Sequence, residues 1–312
     1  MAPVSQSIDP ATAADEREHR FVLWKTLTQQ NLGSLEPAFV RQLGVYGGAQ
    51  GIWVDKVRTA HVASEGVTVG ILHTGEHYPD DLSAEGMIYH YPTTRRSAGR
   101  DISEVEATKN SLRLDLPIFV VLPGERSAQK RTVRLGWVRD YDDLNRQFLI
   151  LFGDQPPLCD PVPPQDGPFA LQTTGNQSRK LQSVASRSSQ QTFRFNIFAK
   201  YGAKCAVCRI SHSTLLAAAH ICGKRDRGTD DWRNGLPLCA THHAAFDAHL
   251  FAIEPSTHEL VCKPGTTAEQ IGLASNRVDL LSSLPHREAL LWRWNATQRK
   301  WRNEQMLTAQ EA

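Results

Sequence analysis

Two short motifs constrain this chain more than anything else in it: Cys205-Ala-Val-Cys208 and Cys239-Ala-Thr-His242. Each sets two metal-binding side chains three positions apart, a spacing that lets the backbone turn back on one ion. Together they supply three thiolates and one imidazole, the donor set of a closed tetrahedral structural zinc site, with sulfur at ~2.3 Å and nitrogen at ~2.0–2.1 Å from the metal. A redox Cys-x-x-Cys would account for the first pair and leave the second unexplained. Cys159, Cys222 and Cys262 lack partner spacing and read as buried or incidental thiols.

The rest of the composition sets broad bounds. At 312 residues the chain is comfortable as two domains. Hydrophobic residues make up 40% and charged residues 22%, enough to fill real cores. Apolar runs such as Leu116–Leu122 are far too short to span a bilayer, so no membrane partner is expected. No charged-then-apolar signal pattern opens the chain, which points to a cytoplasmic location. The net charge of +2 is uninformative, but its distribution is not. Arg179 to Arg233 holds eleven Lys/Arg against three Asp, a stretch that either attracts phosphate backbones or forms a solvated basic face.

Periodicity divides the chain. Residues 13–31 read as an amphipathic helix with Phe21, Leu23, Trp24 and Leu27 on or near one side. From about 44 to 153 the pattern is of strands: 51–59, 67–73, 86–91, 117–122, 131–138 and 147–152, interrupted by one helical window at 102–114. Six strands and one helix suggest a curled sheet or small open barrel. Residues 155–190 begin with prolines and continue in Gln, Ser and Thr, a composition that predicts a flexible linker. A helix over 191–201 follows, with Phe193, Ile197, Phe198 and Tyr201 on its buried side. Beyond it come a strand pair (251–253, 259–262) and a helical tail carrying Trp292, Trp294 and Trp301.

Three polar residues inside the cysteine frame are not needed for the zinc. His220 ends the apolar run Leu216-Ala-Ala-Ala, so its ring emerges at a sheet edge. His243 follows His242 and points to another side of a helix, and Asp247 shares its face four residues on. A histidine and a carboxylate so spaced can share one divalent cation. The order His220, Asn234, His243, within the phrases Ala218-Ala-His220-Ile, Asn234-Gly-Leu-Pro-Leu-Cys239 and His242-His243-Ala-Ala-Phe-Asp247, resembles the HNH endonuclease family and its ββα-metal fold, over Arg194 to Glu254. The resemblance implies that His220 is the general base activating water, that Asn234 holds the catalytic loop and the His220 ring, and that His243 binds a catalytic Mg²⁺ or Mn²⁺. Phosphodiester hydrolysis suits these types. A neutral imidazole can take a proton from water near pH 7, and a cation offsets charge on the phosphoryl and leaving oxygens. One departure stands out. Many family members carry an Asp or His just before the base, where this chain has Ala219, so Asp247, or else Asp230 or Asp231, would have to serve as the second ligand.

Upstream, Gly70-Ile-Leu-His73, Tyr78-Pro-Asp80-Asp81 and Gly86-Met-Ile-Tyr89-His-Tyr91, followed by Asn110, Pro117–Val121 and Leu135–Tyr141, resemble the SRA domains that read modified cytosine. The resemblance runs over roughly residues 50–152, with Pro92–Arg96 replacing the family's glycine-rich loop. It implies that Tyr78 and Tyr89 stack a flipped base while Asp81 accepts the cytosine amine. Arg95, Arg96 and Arg100 would add phosphate contacts.

The sequence therefore predicts an α+β protein: an N-terminal β-rich SRA/PUA-like open barrel at 1–154 with its N-terminal helix, a linker at 155–190, and a zinc-containing ββα-metal HNH domain at 191–312 with a helical tail. The function expected is modification-dependent cleavage of double-stranded DNA near a methyl- or hydroxymethylcytosine. A homodimer is expected too, because cutting both strands needs two active sites. The rival readings are an HNH nuclease with a different or unmodified target, and a non-catalytic zinc-containing DNA-binding protein.

Overall fold

The computed structural model describes residues 10–48, 51–73, 82–93, 98–157, 162–172, 179–278 and 281–311. The chain divides into two compact units, Met1–Cys159 and Asp160–Ala312. Tyr78, Asp81, Arg95, Arg96 and Cys159 lie outside the described residues.

Unit 1 contains α1 (Pro10–Thr28), α2 (Pro37–Gln42), β1 (Gly51–Val54), α3 (Lys56–Thr59), β2 (Thr68–Leu72), β3 (Gly86–His90), α4 (Ala98–Arg113), β4 (Ile118–Pro123), β5 (Arg131–Asp142) and β6 (Gln147–Phe152). The strands form one sheet in the order β1-β2-β4-β5-β6-β3. Only β2 and β4 run parallel. The uninterrupted apolar run of β4 follows from its central position, where both faces are covered. Phe119 and Val121 join Val69, Val133, Leu135, Leu23 and Leu27 in a core shared with α1 and α2. Ile118, Val120 and Leu122 point the other way, into a core with Ile52, Met87, Phe148 and Ile150 that α4 covers with Val105 and Leu112.

That second core draws on both outer strands because the sheet curls. β1 and β3 are not paired, so no barrel closes, yet a Cβ built on Gly51 of β1 would stand 3.7 Å from the Tyr89 hydroxyl of β3. A charged group also lies inside the fold. Arg20 of α1 is fully buried; it donates to Glu16 at 2.7 Å and to the carbonyls of Thr68 and Pro117 at 2.8 and 2.6 Å, tying helix to sheet. The first expected strand, 51–59, is shorter than its pattern suggested. Asp55 accepts from the Arg58 amide and caps α3, which takes over at Lys56.

Unit 2 contains α5 (Arg179–Tyr201), β7 (Leu216–His220), β8 (Gly235–Cys239), α6 (Ala240–Asp247), β9 (Phe251–Ile253), β10 (Leu260–Cys262), α7 (Ala268–Ile271) and α8 (Arg287–Glu311). β7 and β8 pair antiparallel from Leu216↔Cys239 to His220↔Gly235, and β9 pairs β10. Phe193, Ile197, Phe198 and Tyr201 of α5 are all buried, as their spacing predicted.

The expected linker at 155–190 needs correction. The unit boundary falls at Cys159/Asp160, and α5 already begins at Arg179 rather than 191. Between them, residues 162–172 form a strap bound to the rest of unit 2. Trp232 Nε1 donates to the Pro163 carbonyl at 2.8 Å. Arg233, fully buried, donates to the carbonyls of Gln165, Gly167 and Pro168 at 3.2, 2.7 and 2.7 Å. Phe169 stacks on His286 at 3.9 Å, and Leu171 enters the core. Beside these apolar contacts the segment is held by its backbone carbonyls, which composition does not report.

Candidate active site and metal centre

The two pairs of metal-binding side chains meet at one place in unit 2. Cys205 and Cys208 lie on the turn after α5, joined to β8 through the Ala206 amide and the Pro237 carbonyl at 2.8 Å. Cys239 ends β8 and His242 sits in the first turn of α6. All four are buried and their donor atoms lie within 4.8 Å of one another. Cys208 Sγ stands 3.9 Å from Cys239 Sγ, and Cys205 Sγ 3.7 Å from His242 Nδ1. A tetrahedron with Zn–S near 2.3 Å has edges of roughly 3.8 Å, so these separations fit zinc. The Cys239–His242 edge, at 3.0 Å, is tighter. His242 Nε2 donates to the Ile271 carbonyl at 2.9 Å, which leaves Nδ1 free of a proton and aimed at the thiols. Burial and the neighbouring thiols push Cys208 up to about 12, so metal binding here must displace protons.

His220 is the last residue of β7, and three groups set its ring. Phe193 of α5 stacks on it at 3.9 Å and 11°. Gly235, its partner across the hairpin, makes room for that stack, since a Cβ there would meet Phe193 and Ile197 at 2.5 Å. The third group is a carboxylate: His220 Nε2 lies 2.9 Å from Asp230 Oδ1, and Lys224 Nζ lies 2.7 Å from Asp230 Oδ2. From sequence Asp230 is expected only as an alternative ligand for the catalytic ion, whereas the structure turns it to the His220 ring.

Asn234, fully buried, clamps the loop between the two hairpin strands. Its Oδ1 accepts from the Cys222 amide at 2.9 Å. Its Nδ2 donates to the Cys222 and Thr229 carbonyls at 3.1 and 2.8 Å. Gly228 is required where the loop crosses itself, because a Cβ there would stand 1.9 Å from the Cys222 carbonyl oxygen. Asp231, the other carboxylate proposed for the metal, is committed to Arg233, with contacts of 3.0 and 2.7 Å.

α6 carries His243 and Asp247 on one face, with Nε2 and Oδ2 3.5 Å apart and both side chains partly exposed. One imidazole and one carboxylate suit Mg²⁺ or Mn²⁺ that fills its other positions with water and phosphate oxygens. Among the described residues, the Cys/His knuckles alone bring three or more such donors together. In unit 1, Tyr89 is half-buried against the concave core; its expected partners Tyr78 and Asp81 lie outside the described residues.

The model of the HNH endonuclease family matches residues 205–254, from the first knuckle to the end of β9. Residues 205–254 are therefore similar to an HNH endonuclease domain. Within the matched segment lie both knuckles, His220, Asn234, His243 and Asp247, whereas Phe193 and the strap fall outside it. Among solved structures, the chain is similar to the modification dependent TagI restriction endonuclease, at 18% identity and a TM-score of 0.32, covering 83% of this chain and 90% of that one. The curated proteins contain no match. No helix among the described residues is long and apolar enough to cross a membrane.

Proposed function

We propose that unit 2 hydrolyses DNA phosphodiesters, with His220 as general base, Asn234 holding its loop, and a divalent cation at His243 and Asp247. The observation that carries this reading is the His220 ring itself. It is stacked on Phe193 and hydrogen-bonded to Asp230 through Nε2, an arrangement that keeps the proton on Nε2 and leaves Nδ1 as the basic atom. The family match over 205–254 supports the reaction class. When bound, the cation supplies charge neutralisation on the phosphoryl and leaving oxygens. Zinc at the Cys₃His cluster is the structural partner, pinning β8 and α6 so that His220 and His243 keep their places. The basic residues Lys224, Arg225 and Arg227 of the clamped loop suit double-stranded DNA as substrate.

Unit 1 is the reader in this account. The SRA resemblance assigns it a modified cytosine, with Tyr89, packed on the concave core yet partly exposed, as one stacking face. The reading includes a homodimer, so that two HNH domains cut two strands. The test is cleavage of matched DNA bearing cytosine, methylcytosine or hydroxymethylcytosine, with Mg²⁺, Mn²⁺ and chelator. Metal-dependent cutting confined to modified DNA is expected. Equal cutting of all three rules out the reader, and no cutting of any with either metal rules out the nuclease.

A further inference from the structure

We infer that Asp230 is the positioning residue of the HNH site: it takes the Nε2 proton of His220 and thereby fixes which ring nitrogen can act as base. This rests on the reading of His220 as the base and names what makes it one.

A neutral imidazole carries one proton, and the hydrogen bond made by one nitrogen decides the state of the other. Asp230 presents Oδ1 to His220 Nε2 at 2.9 Å, and a carboxylate can only accept, so the proton resides on Nε2. Phe193 prevents the ring from turning out of this plane. The carboxylate is itself held on its far side. Lys224 Nζ lies 2.7 Å from Oδ2, with the Gly228 carbonyl a further acceptor at 3.4 Å. Asp231, one residue on, is taken by Arg233. The two adjacent acids are thus divided: Asp231 serves the strap and Asp230 serves the ring. In the reaction, Nδ1 takes a proton from water as the water oxygen bonds to phosphorus. The bond from phosphorus to the 3′ oxygen breaks, and that oxygen is protonated by solvent.

This geometry predicts how Asp230→Asn fails. An amide has one accepting and one donating end. The Lys224 ammonium demands the oxygen, which turns the NH₂ group toward His220. Nε2 must then accept, so the proton moves to Nδ1, the nitrogen that has to be free. Removing the ammonium in a Lys224→Met/Asp230→Asn double variant lets the amide turn over and restores the original tautomer.

The experiment uses the full zinc-loaded chain with ¹⁵N-labelled histidine rings, the His220 signals being assigned by their loss in His220→Ala. Nitrogen shifts should show the Nε2–H tautomer in the native protein, Nδ1–H in Asp230→Asn, and Nε2–H again in the double variant. Plasmid cleavage by Asp230→Asn should fall in kcat by roughly 10²-fold, the lower end of what a general base contributes, with KM nearly unchanged, and the double variant should recover part of it. Three results would overturn the inference: an unchanged tautomer in Asp230→Asn, a native kcat in Asp230→Asn while His220→Ala has lost cleavage, or a loss of Mn²⁺ affinity that reassigns Asp230 to the metal. Should the tautomer switch as expected while His220→Ala cuts DNA at the native rate, the pairing is supported and the base role is what fails.

Discussion

Asn234 makes three hydrogen bonds, the two to Cys222 buried and the one to Thr229 partly so, and together they hold the loop closed. Leaving those backbone groups without partners should cost Asn234→Ala about 3 kcal/mol of stability, read as a lower denaturation midpoint. Asn234→Asp should be worse, since a carboxylate would then face two carbonyl oxygens it cannot donate to; a milder loss than alanine's would contradict the clamp. Because His220 sits at the mouth of this loop, even a displacement of ~1 Å is expected to lower cleavage by around 10²-fold in the folded fraction. Single residues can be read from sequence where chemistry demands a residue type at a fixed spacing. Cys205, Cys208, Cys239 and His242 converge as their spacing predicted, and His243 and Asp247 share a helix face. What could not be read were partners chosen by geometry. The carbonyl that orients His242 belongs to Ile271, where any residue could supply it, and nothing in the order Asp230-Asp231 says which acid turns to the ring.

Among the elements, the strap over 162–172 depends on one side chain. Arg233 is enclosed by three strap carbonyls and by Asp231, whose hydrogen bonds raise its already high pKa. Arg233→Met would leave Asp231 and those carbonyls without their donor, at a cost of about 3–5 kcal/mol, and should expose 162–172 to limited proteolysis before the rest of unit 2. Unchanged protease resistance would show that the strap is held by other means. Acid should act on the same place. Burial first, and then the Arg233 charge, lower the His286 pKa below its usual value, so the folded unit favours the neutral ring that stacks on Phe169. The unfolded chain binds a proton there at higher pH than the folded one. This contribution is therefore complete above about pH 6.5 and is lost as pH falls below it. Strap cleavage should quicken between pH 7.5 and 5, and less so in His286→Gln; an identical acid response in the two proteins would contradict the assignment. Sequence found the strands, including β4 with its apolar residues facing two cores, because burial on both faces writes itself as a continuous apolar run. It misjudged the strap for the opposite reason, since a segment anchored through its backbone looks like a linker.

Across the whole chain, two units with separate cores predict two responses to metal removal. The knuckles tie the turn after α5, the end of β8 and the start of α6 into the core of unit 2, whereas the two large cores of unit 1 contain none of their ligands. Structural zinc sites contribute ~10–16 kcal/mol of apparent binding free energy near neutral pH, comparable with the whole stability of a domain. Chelation should accordingly melt unit 2 at a much lower temperature and leave a transition for unit 1 near its original position; a single transition shifted as a whole would contradict that independence. In the proposed function the His220 ring drives phosphodiester hydrolysis, so removing it should largely abolish cutting while the fold stays intact. The most direct test is the single-turnover cleavage rate of His220→Ala on a DNA that the native chain cuts, in protein shown to bind one zinc and to melt as the native chain does. A fall of roughly 10²-fold or more is expected; cleavage at the native rate would contradict the account.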